Sequence, residues 1–439
     1  MKRYHHIYKY FAGITLLLGT FTACKKDYQD ASGPSSDQAF STPIVLADVA
    51  AGLQSWYVRD RTGLLYTTVT AGSLLTGETF VTNPGNADEA QLGTGGAALL
   101  NVNVVVTGMW AVSNKIVYES DSILRSTKMI VKDAGFASGL IGYTSIFKAL
   151  SLGIQANFWE QVPDTIGRPD GITNDVKFIP ARQGYLRAVR TIDNALNAIS
   201  AAPVSDNFLR YIPKGINIEN TLYALKARYS LYAGDYAGAL AAADKVDLSE
   251  KGKGALVFTS LITNPVYTLA TATNNIFQVV DSSMGLPKEI QPDQADGRVP
   301  FYIKRQAKPR FIINGFFKSL NDTVPLFLPG EITLIKAECY ARTGLIPQGL
   351  AELNKVVTKT ADKDAYKLAA NLPAVSASDK DELLTLIYKH RRIELYMGGQ
   401  ELEDSRRFNR PVSERKRTYF PYPFVERNDN PNTPKDPEF

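Results

Sequence analysis

Apolar residues recur at helical spacing along most of the chain. Between residues 44 and 59, the apolar residues Val45, Val49, Leu53 and Trp56 follow one another at intervals of three or four. Spacings of three and four residues place such side chains on one face of a helix. A second stripe runs from 103 to 131 and contains Trp110, Asn114, Val117, Asp121 and Leu124. The pattern predicts a fold dominated by α-helices.

A repeat strengthens this prediction. Residues 225–246 align without gaps with residues 335–356, with seven identities in 22 positions, and each copy has a glycine between two helical stretches, Gly234 or Gly344. A third copy is split, with one helix ending near Trp159 and its return helix beginning at Ala181. Small residues at close-packing positions are typical of tetratricopeptide-like helix pairs. We therefore expect such pairs near 139–201, 222–248 and 331–360, stacked on one another.

Two stretches lack this periodicity and are predicted to be irregular. Residues 62–101 are rich in Gly, Thr and Asn, and residues 255–329 contain short β-like runs separated by Pro, Gly and Asp. Long loops in compact domains often carry function. Sugars are bound by aromatic faces and by amide or charged groups, whereas peptides can use backbone contacts and pockets. The candidate ligand-binding residues are Tyr66, Phe80, Asn83, Asn86, Asp88, Tyr267, Asp281, Arg298 and Tyr302.

The N-terminus has the features of an export signal. Lys2, Arg3 and Lys9 precede or flank an apolar run of residues 11–23, which is too short to span a membrane. The small residues before Cys24 resemble a lipobox, so residues 1–23 are predicted to be a signal peptide and Cys24 the lipidated first residue. Residues 24–42 are polar and are predicted to form a flexible tether. Residues 43–439 then form a single domain.

Composition limits the possible partners. The chain has 439 residues, of which 44% are hydrophobic and 21% charged, which is typical of a globular protein. Loss of residues 1–23 removes three basic residues and no acidic one, so the formal net charge falls from +5 to +2. This balance gives no indication of a nucleic-acid partner.

Residues 383–408 are the most informative segment for the fold. Their pattern predicts a helix, a break at Gly398–Gly399 and a second short helix. Glu394 falls on the apolar face of the first helix. A buried carboxylate needs a partner. We expect that partner to be Arg391, one turn earlier, or Arg406 or Arg407 after the break, while the acidic run 401–404 pairs with these arginines.

This segment resembles the C-terminal signature of the SusD/RagB family of nutrient-binding outer-membrane lipoproteins. The matching residues are Arg391, Arg392, Glu394, Leu395, Gly399, Asp404 and Arg406, followed by the tail 421–432. Residues 275–277, 296–298 and 331–344 also resemble the family. Gly398 and Glu401 depart from the pattern, since the family tends to have Glu and Arg there.

The resemblance implies a SusD-like α-superhelix with long loops and a few short strands. It also implies a lipid-anchored protein of the outer membrane, displayed on the cell surface, which binds nutrient oligomers, most often glycans. Such a protein delivers its ligand to a SusC-like TonB-dependent transporter. Arg391, Glu394, Asp404 and Arg406 are expected to have structural roles.

Little in the sequence indicates catalysis or a cofactor. After removal of the signal, His390 is the only histidine, which disfavours a multi-histidine metal site or a Ser/His nucleophile. Cys339 lies within a predicted helix and is interpreted as a structural thiol. Two alternatives to solute binding stay open. One is a scaffold for other envelope proteins, and the other is a glycoside hydrolase with two carboxylates about 5 to 9.5 Å apart.

The lipobox generates a direct test. Because the tether contains no other membrane-seeking segment, anchoring should depend on the acylated Cys24 sulfur. Cys24→Ala should therefore yield protein that is soluble or unprocessed and carries no labelled fatty acid. Membrane fractionation after fatty-acid labelling measures both properties. Full membrane partitioning with label still incorporated would contradict the assignment of Cys24.

Overall fold

The computed structural model describes residues 40–166, 175–273, 275–307 and 311–439, most of which form helices. Cys24, the predicted signal peptide and the tether through residue 39 lie outside the described residues. Residues Thr42–Phe439 form one compact unit. The α-helices in the described part are α1 (Pro43–Val58), α2 (Leu64–Leu75), α3 (Ala87–Thr94), α4 (Val104–Ile130), α5 (Ala134–Phe158), α6 (Ala181–Ala201), α7 (Asp206–Leu209), α8 (Ile218–Tyr232), α9 (Tyr236–Ala243), α10 (Arg298–Tyr302), α11 (Pro329–Arg342), α12 (Ile346–Val357), α13 (Lys380–Glu394), α14 (Glu401–Arg407) and α15 (Phe424–Asp429).

Short strands join the helices in four two-stranded antiparallel sheets. The strands in the described residues are β1 (Thr79–Val81), β2 (Gln161–Pro163), β3 (Phe178–Pro180), β4 (Ala255–Leu256), β5 (Phe277–Val279), β6 (Ile303–Arg305), β7 (Phe311–Ile313) and β8 (Val324–Pro325). The pairs are β1–β5, β2–β3, β4–β8 and β6–β7. The prediction of a helical fold with a few short strands is confirmed.

The repeated pattern corresponds to two helical hairpins, α8–α9 and α11–α12. Gly234 and Gly344 end the first helix of each hairpin with φ angles of +78° and +83°. Glycine adopts this left-handed conformation without a steric penalty, so it is the usual residue at such a helix end. The split copy consists of α5 and α6, with the β2–β3 pair in the connection between them.

Neighbouring helices pack on one another through the chain. Helix α5 lies against α4, α6 and α8, and α11 lies against α8, α9, α12 and α13. Among the described residues, α5 alone is long and apolar enough to meet the length and composition criteria for a membrane span, and 83% of its most apolar window is buried in the protein. Here it is a core helix, covered by other helices on most sides.

The prediction that residues 62–101 form one long loop is wrong. Helix α2 occupies 64–75 and α3 occupies 87–94. Every residue of α2 is buried. A helix that is buried all round shows no alternation of apolar and polar faces, so its periodicity is hidden in the sequence.

Helix α13 and the break after it follow the prediction closely. Asp379 caps the helix by accepting a hydrogen bond from the Glu382 N–H at 2.9 Å. On its apolar face, Leu383 and Ile387 pack in a cluster with Leu334 and Leu353 of the α11–α12 hairpin. The next short helix, α14, begins three residues beyond Gly398.

Glu394 is buried and paired, but the predicted partners were wrong. Its Oε2 accepts a hydrogen bond from Arg298 at 3.0 Å and its Oε1 accepts one from Lys359 at 2.7 Å. Arg298 is also bonded to Asp296 at 2.7 Å. The carboxylate packs so closely on α11 that a Cβ at Gly330 would lie 1.8 Å from Glu394 Oε1. Its partners lie 96 and 35 residues away in sequence, beyond the reach of helical spacing.

The arginines near Glu394 pair elsewhere. Arg391 donates two hydrogen bonds to Asp404, both at 3.0 Å. Arg407 bonds Asp404 and also Glu338, at 2.8 and 2.9 Å. Arg406 instead donates to the backbone carbonyls of Thr418 and Asn157, at 2.7 and 2.5 Å. These contacts join α11, α13, α14 and the C-terminal tail.

Glu403, in the acidic run expected to pair with the nearby arginines, is buried beside Arg407. It is 6% exposed. Its Oε2 lies 3.3 Å from Arg407 Nε, yet no hydrogen bond satisfies that oxygen. Burial raises the pKa of Glu403 to about 7, and the Arg407 guanidinium offsets only part of this effect.

Loss of the Glu394 carboxylate should destabilise the fold strongly. Glu394→Ala leaves Arg298 and Lys359 buried without this partner, and breaking a buried pair costs about 3 to 5 kcal/mol. Denaturant unfolding should show this loss. The control is Glu289→Ala, an exposed acid, for which we expect a change of less than about 0.5 kcal/mol. Equal effects from the two variants would contradict a central role for Glu394.

Glu403 should make stability depend on pH. Its ordinary pKa is 4.5 and its folded pKa is about 7, so the folded state binds this proton more tightly. The stabilisation is complete below pH 4.5 and is lost as the pH rises through about 7. Glu403→Gln should therefore be more stable than the parent at pH 8 and should lose less stability between pH 5 and pH 8. Melting temperatures across this range measure both effects, and an unchanged slope would contradict the assignment.

Candidate functional site

The two stretches that the sequence marked as candidate ligand regions meet at strands β1 and β5. Phe80 lies opposite Gln278 in the antiparallel register. Beyond the strand, the N–H groups of Thr82 and Asn83 donate to the Ile276 carbonyl at 2.9 and 3.4 Å. We call the exposed or half-buried residues along this pairing the β1–β5 rim, comprising Phe80, Thr82, Asn83, Asn275 and Val280.

The rim contains an exposed aromatic ring and exposed amide side chains. Phe80 is 45% exposed and Val280 is 38% exposed, so both keep apolar surface in contact with water. Asn83 accepts a hydrogen bond from the Gly85 N–H at 3.1 Å through Oδ1, which leaves its amide donors available. Exposed aromatic and amide side chains on one surface are the residue types that bind a sugar ring and its hydroxyl groups.

Two other predicted ligand-binding residues, Asn86 and Asp88, make contacts that stabilise the turn beside the rim. Asn86 donates through its side chain to the Asn83 carbonyl at 3.2 Å, which closes the turn after β1. Asp88 accepts from the Val104 N–H at 2.9 Å and lies 3.5 Å from Arg61. Their side-chain contacts therefore hold the turn and connect α3 to α4.

Three predicted ligand residues are buried and cannot face a ligand at the surface. The Tyr66 hydroxyl donates to Glu89 at 2.8 Å, and the Tyr302 hydroxyl donates to the Glu394 carbonyl at 2.6 Å. Arg298 is fully buried in its pairs with Asp296 and Glu394. Their polar atoms are satisfied inside the protein, so the structure gives all three structural roles.

The two remaining candidates, Tyr267 and Asp281, are half-buried and lie outside the rim as defined. Tyr267 is half-buried at the start of a π-helix, Tyr267–Thr273, and its backbone N–H donates to Asn264 at 3.3 Å. Asp281 follows the rim residue Val280 and accepts from the Ser283 N–H at 2.7 Å. Asp281 thus shapes the turn after β5.

Glu78, which sequence reasoning missed, fixes the rim to the core. Its Oε1 accepts from Arg392 at 3.1 Å and its Oε2 accepts from the Met397 N–H at 3.0 Å. Its backbone carbonyl accepts from the Tyr396 hydroxyl at 2.9 Å and from the Val280 N–H at 3.2 Å. Burial raises the pKa of Glu78 to about 7, while Arg392 and the Met397 N–H lower it. Strand β1 begins at the next residue, so α13 sets the position of Phe80.

The described residues give little indication of a catalytic site. They contain no cluster of three or more His, Cys, Asp or Glu side chains that could hold a metal ion. His390 is 1% exposed and its Nδ1 lies 2.8 Å from Arg298, while burial and this guanidinium lower the imidazole pKa. Cys339 is a buried free thiol, and burial raises its pKa to about 12. Both residues are packed within the helical core.

Solved structures with the same architecture define the fold. A SusD superfamily protein from Bacteroides vulgatus superposes with a TM-score of 0.70 at 14% identity, covering 91% of this chain and 99% of its own. A SusD superfamily protein from Bacteroides thetaiotaomicron gives a TM-score of 0.69 at 15% identity, covering 90% and 99%. A SusD-like carbohydrate-binding protein from Bacteroides vulgatus gives 0.65 at 14% identity, covering 84% of each chain.

No protein-family model matches the chain, and no curated protein matches it either. The structural agreement nevertheless extends over about nine-tenths of the chain and almost the full length of two of these proteins. The chain therefore has the SusD-like fold, as its C-terminal segment indicated. At identities of 14–15% the agreement concerns the fold alone.

Proposed function

We propose that this protein is a surface lipoprotein that binds glycans at the β1–β5 rim and delivers them to a SusC-like TonB-dependent transporter without cleaving them. The observation that carries the proposal is the half-exposed Phe80 ring, three residues before the exposed Asn83 amide, on a strand pair that is tied to the core through Glu78. The signal peptide and the acylation of Cys24, both predicted from the sequence, support the outer-membrane location. The carbohydrate-binding protein of the same fold supports the ligand class.

Capture without turnover agrees with the chemistry of the rim. Its side chains are aromatic, aliphatic, hydroxyl and amide groups, none of which is a general acid or a strong nucleophile at neutral pH. A bound oligosaccharide should accordingly be recovered intact. Delivery to a transporter follows from the family resemblance and requires that the lipid anchor keep the protein at the membrane.

The test is a binding screen of the detergent-solubilised protein against neutral oligosaccharides and peptides, followed by calorimetry. Phe80→Ala should weaken binding of the selected ligand by about 1 to 3 kcal/mol, the contribution of a well-packed aromatic anchor. Asn83→Ala should weaken it by about 0.5 to 1.5 kcal/mol, the scale of one hydrogen bond. Neither exposed residue should change the melting temperature appreciably.

Tyr66→Phe is the matched control, because its hydroxyl bonds Glu89 inside the protein. It should lower stability and leave ligand affinity unchanged. If Phe80→Ala and Asn83→Ala bind as tightly as the parent, the rim is not the site. Selection of peptides alone would replace glycans as the ligand class, and the absence of any ligand would favour a scaffold for envelope proteins.

A further inference from the structure

Two buried carboxyl groups share one guanidinium group where Glu78 fixes the β1–β5 rim to the core. Glu78 and Glu401 are 0% and 2% exposed, and Arg392 is 3% exposed. Arg392 Nη2 bonds Glu78 at 3.1 Å, whereas Glu401 has no ion-pair partner among the described residues. If both acids were ionised, two negative charges and one positive charge would be enclosed in the protein.

Glu401 packs against the backbone of the break between α13 and α14. Its Oε1 accepts a hydrogen bond from the Gly399 N–H at 3.0 Å, and Glu78 accepts one from the Met397 N–H, two residues earlier, also at 3.0 Å. The other oxygen, Oε2, lies against α2, where a Cβ at Gly72 would be 2.2 Å from it. This oxygen is buried and has no hydrogen-bond partner in the described part of the chain, although such an atom normally has one. The surroundings therefore fit the shape of the group but do not satisfy a carboxylate.

The elements packed against Glu401 supply no free cation within the described residues. Helix α2 contains no charged residue, and Lys148, the one charged residue of α5, pairs with Asp121. The other charged or titratable groups around the pair already have partners: Arg391 and Arg407 pair with Asp404, Glu403 lies beside Arg407, Arg406 donates to backbone carbonyls, Tyr388 accepts from Arg392, Tyr396 donates to the Glu78 carbonyl, and Asp281 accepts from the Ser283 N–H. A charge on Glu401 would therefore depend on Arg392, which already pairs with Glu78.

A proton on Glu401 removes this imbalance. An unpaired buried charge is costly because it loses its hydration, so such a group is usually neutral instead. Where two carboxyl groups share a site, one of them keeps its proton to higher pH. Burial and the Glu78 carboxylate raise the pKa of Glu401 well above its ordinary value of 4.5, and Arg392 and the Gly399 N–H offset only part of this effect.

We propose that a proton on Glu401 holds the β1–β5 rim in place, so that its loss loosens the rim. An ionised Glu401 would repel the Glu78 carboxylate, which anchors the start of β1 through Arg392 and the Met397 N–H. Since the folded protein binds this proton more tightly than an opened chain, the stabilisation is complete below pH 4.5 and is lost as the pH rises through the folded pKa. Weaker ligand binding at high pH is the consequence that rests on the proposed function. Glu401 stands where the family tends to have Arg, so the resemblance does not imply this behaviour.

The test measures amide hydrogen exchange of the detergent-solubilised protein between pH 5 and pH 8, corrected for the intrinsic pH dependence of exchange. In the parent, protection of peptides covering Thr79–Val81 and Phe277–Val279 should fall as the pH rises, by up to about tenfold per pH unit, the limit for release of one proton. Glu401→Gln keeps the shape of the side chain and the acceptor for the Gly399 N–H but has no proton to lose in this range. Most of the fall should therefore disappear in Glu401→Gln, and also in the uncharged variant Glu401→Met.

Infrared spectroscopy measures the proton itself. A protonated carboxyl group has a carbonyl band that a carboxylate lacks. At pH 7 this band should be stronger in the parent than in Glu401→Gln. Equal bands in the two proteins would show that Glu401 is ionised and would overturn the proposal.

Glu403→Gln is the matched control, because it makes the same substitution at another buried carboxyl group of α14. It should leave the pH dependence of protection in β1 and β5 as it is in the parent. These measurements need no ligand, so a failure of glycan binding at the rim would not affect them. Protection that is independent of pH in the parent, an unchanged fall in Glu401→Gln, or an equal loss of the fall in Glu403→Gln would each overturn the proposal.

Discussion

Buried charge on helix α13 is the constraint on which the rest of the structure depends. Arg391, Arg392 and Glu394 are at most 3% exposed, so each needs an opposite charge inside the protein. The partners come from distant segments, namely Glu78, Asp404, Arg298 and Lys359. Replacing such pairs by apolar residues can be neutral for stability, but losing one partner is costly. The network therefore determines which segments must meet at α13.

The candidate binding surface, the β1–β5 rim, is positioned by this network. Glu78 joins Arg392 to the start of β1, and β1 carries Phe80. Lys359 joins Glu394 to Asp364, which holds the backbone of Tyr366. The rim consists of two short strands and the turns beside them, which have little stability of their own. A rigid helical core thus positions side chains that the loops alone could not hold.

The sequence predicted the parts of the fold that depend on local periodicity. The α11–α12 hairpin, the capped helix α13 and the break at Gly398–Gly399 follow from helical spacing and glycine positions. Helix α2 was missed because it is buried on all sides, which removes the amphipathic signal. The partners of Glu394 were missed because ion pairing across 96 residues leaves no trace in a single sequence.

The residues of the candidate site could be predicted only in part, because their burial also depends on contacts between distant segments. Composition marked both irregular regions, and the structure brings them together at β1 and β5. The exposed fraction of the side chain then distinguishes two aromatic candidates, because Phe80 is 45% exposed and Tyr66 is fully buried. An aromatic residue in a loop-like sequence can pack inward or outward, and the neighbouring carboxylate that holds Tyr66, Glu89, lies 23 residues away.

Hydrogen exchange of the Arg392→Met variant tests most directly whether α13 holds the β1–β5 rim. We expect faster exchange in peptides covering Thr79–Val81 and Phe277–Val279, while the α11–α12 hairpin keeps its protection. Arg410→Met is the matched control, because Arg410 pairs with Glu414 away from β1 and should leave β1 exchange unchanged. Unaltered exchange of β1 and β5 in Arg392→Met, or an equal increase throughout the chain, would contradict the claim that α13 holds the β1–β5 rim in place.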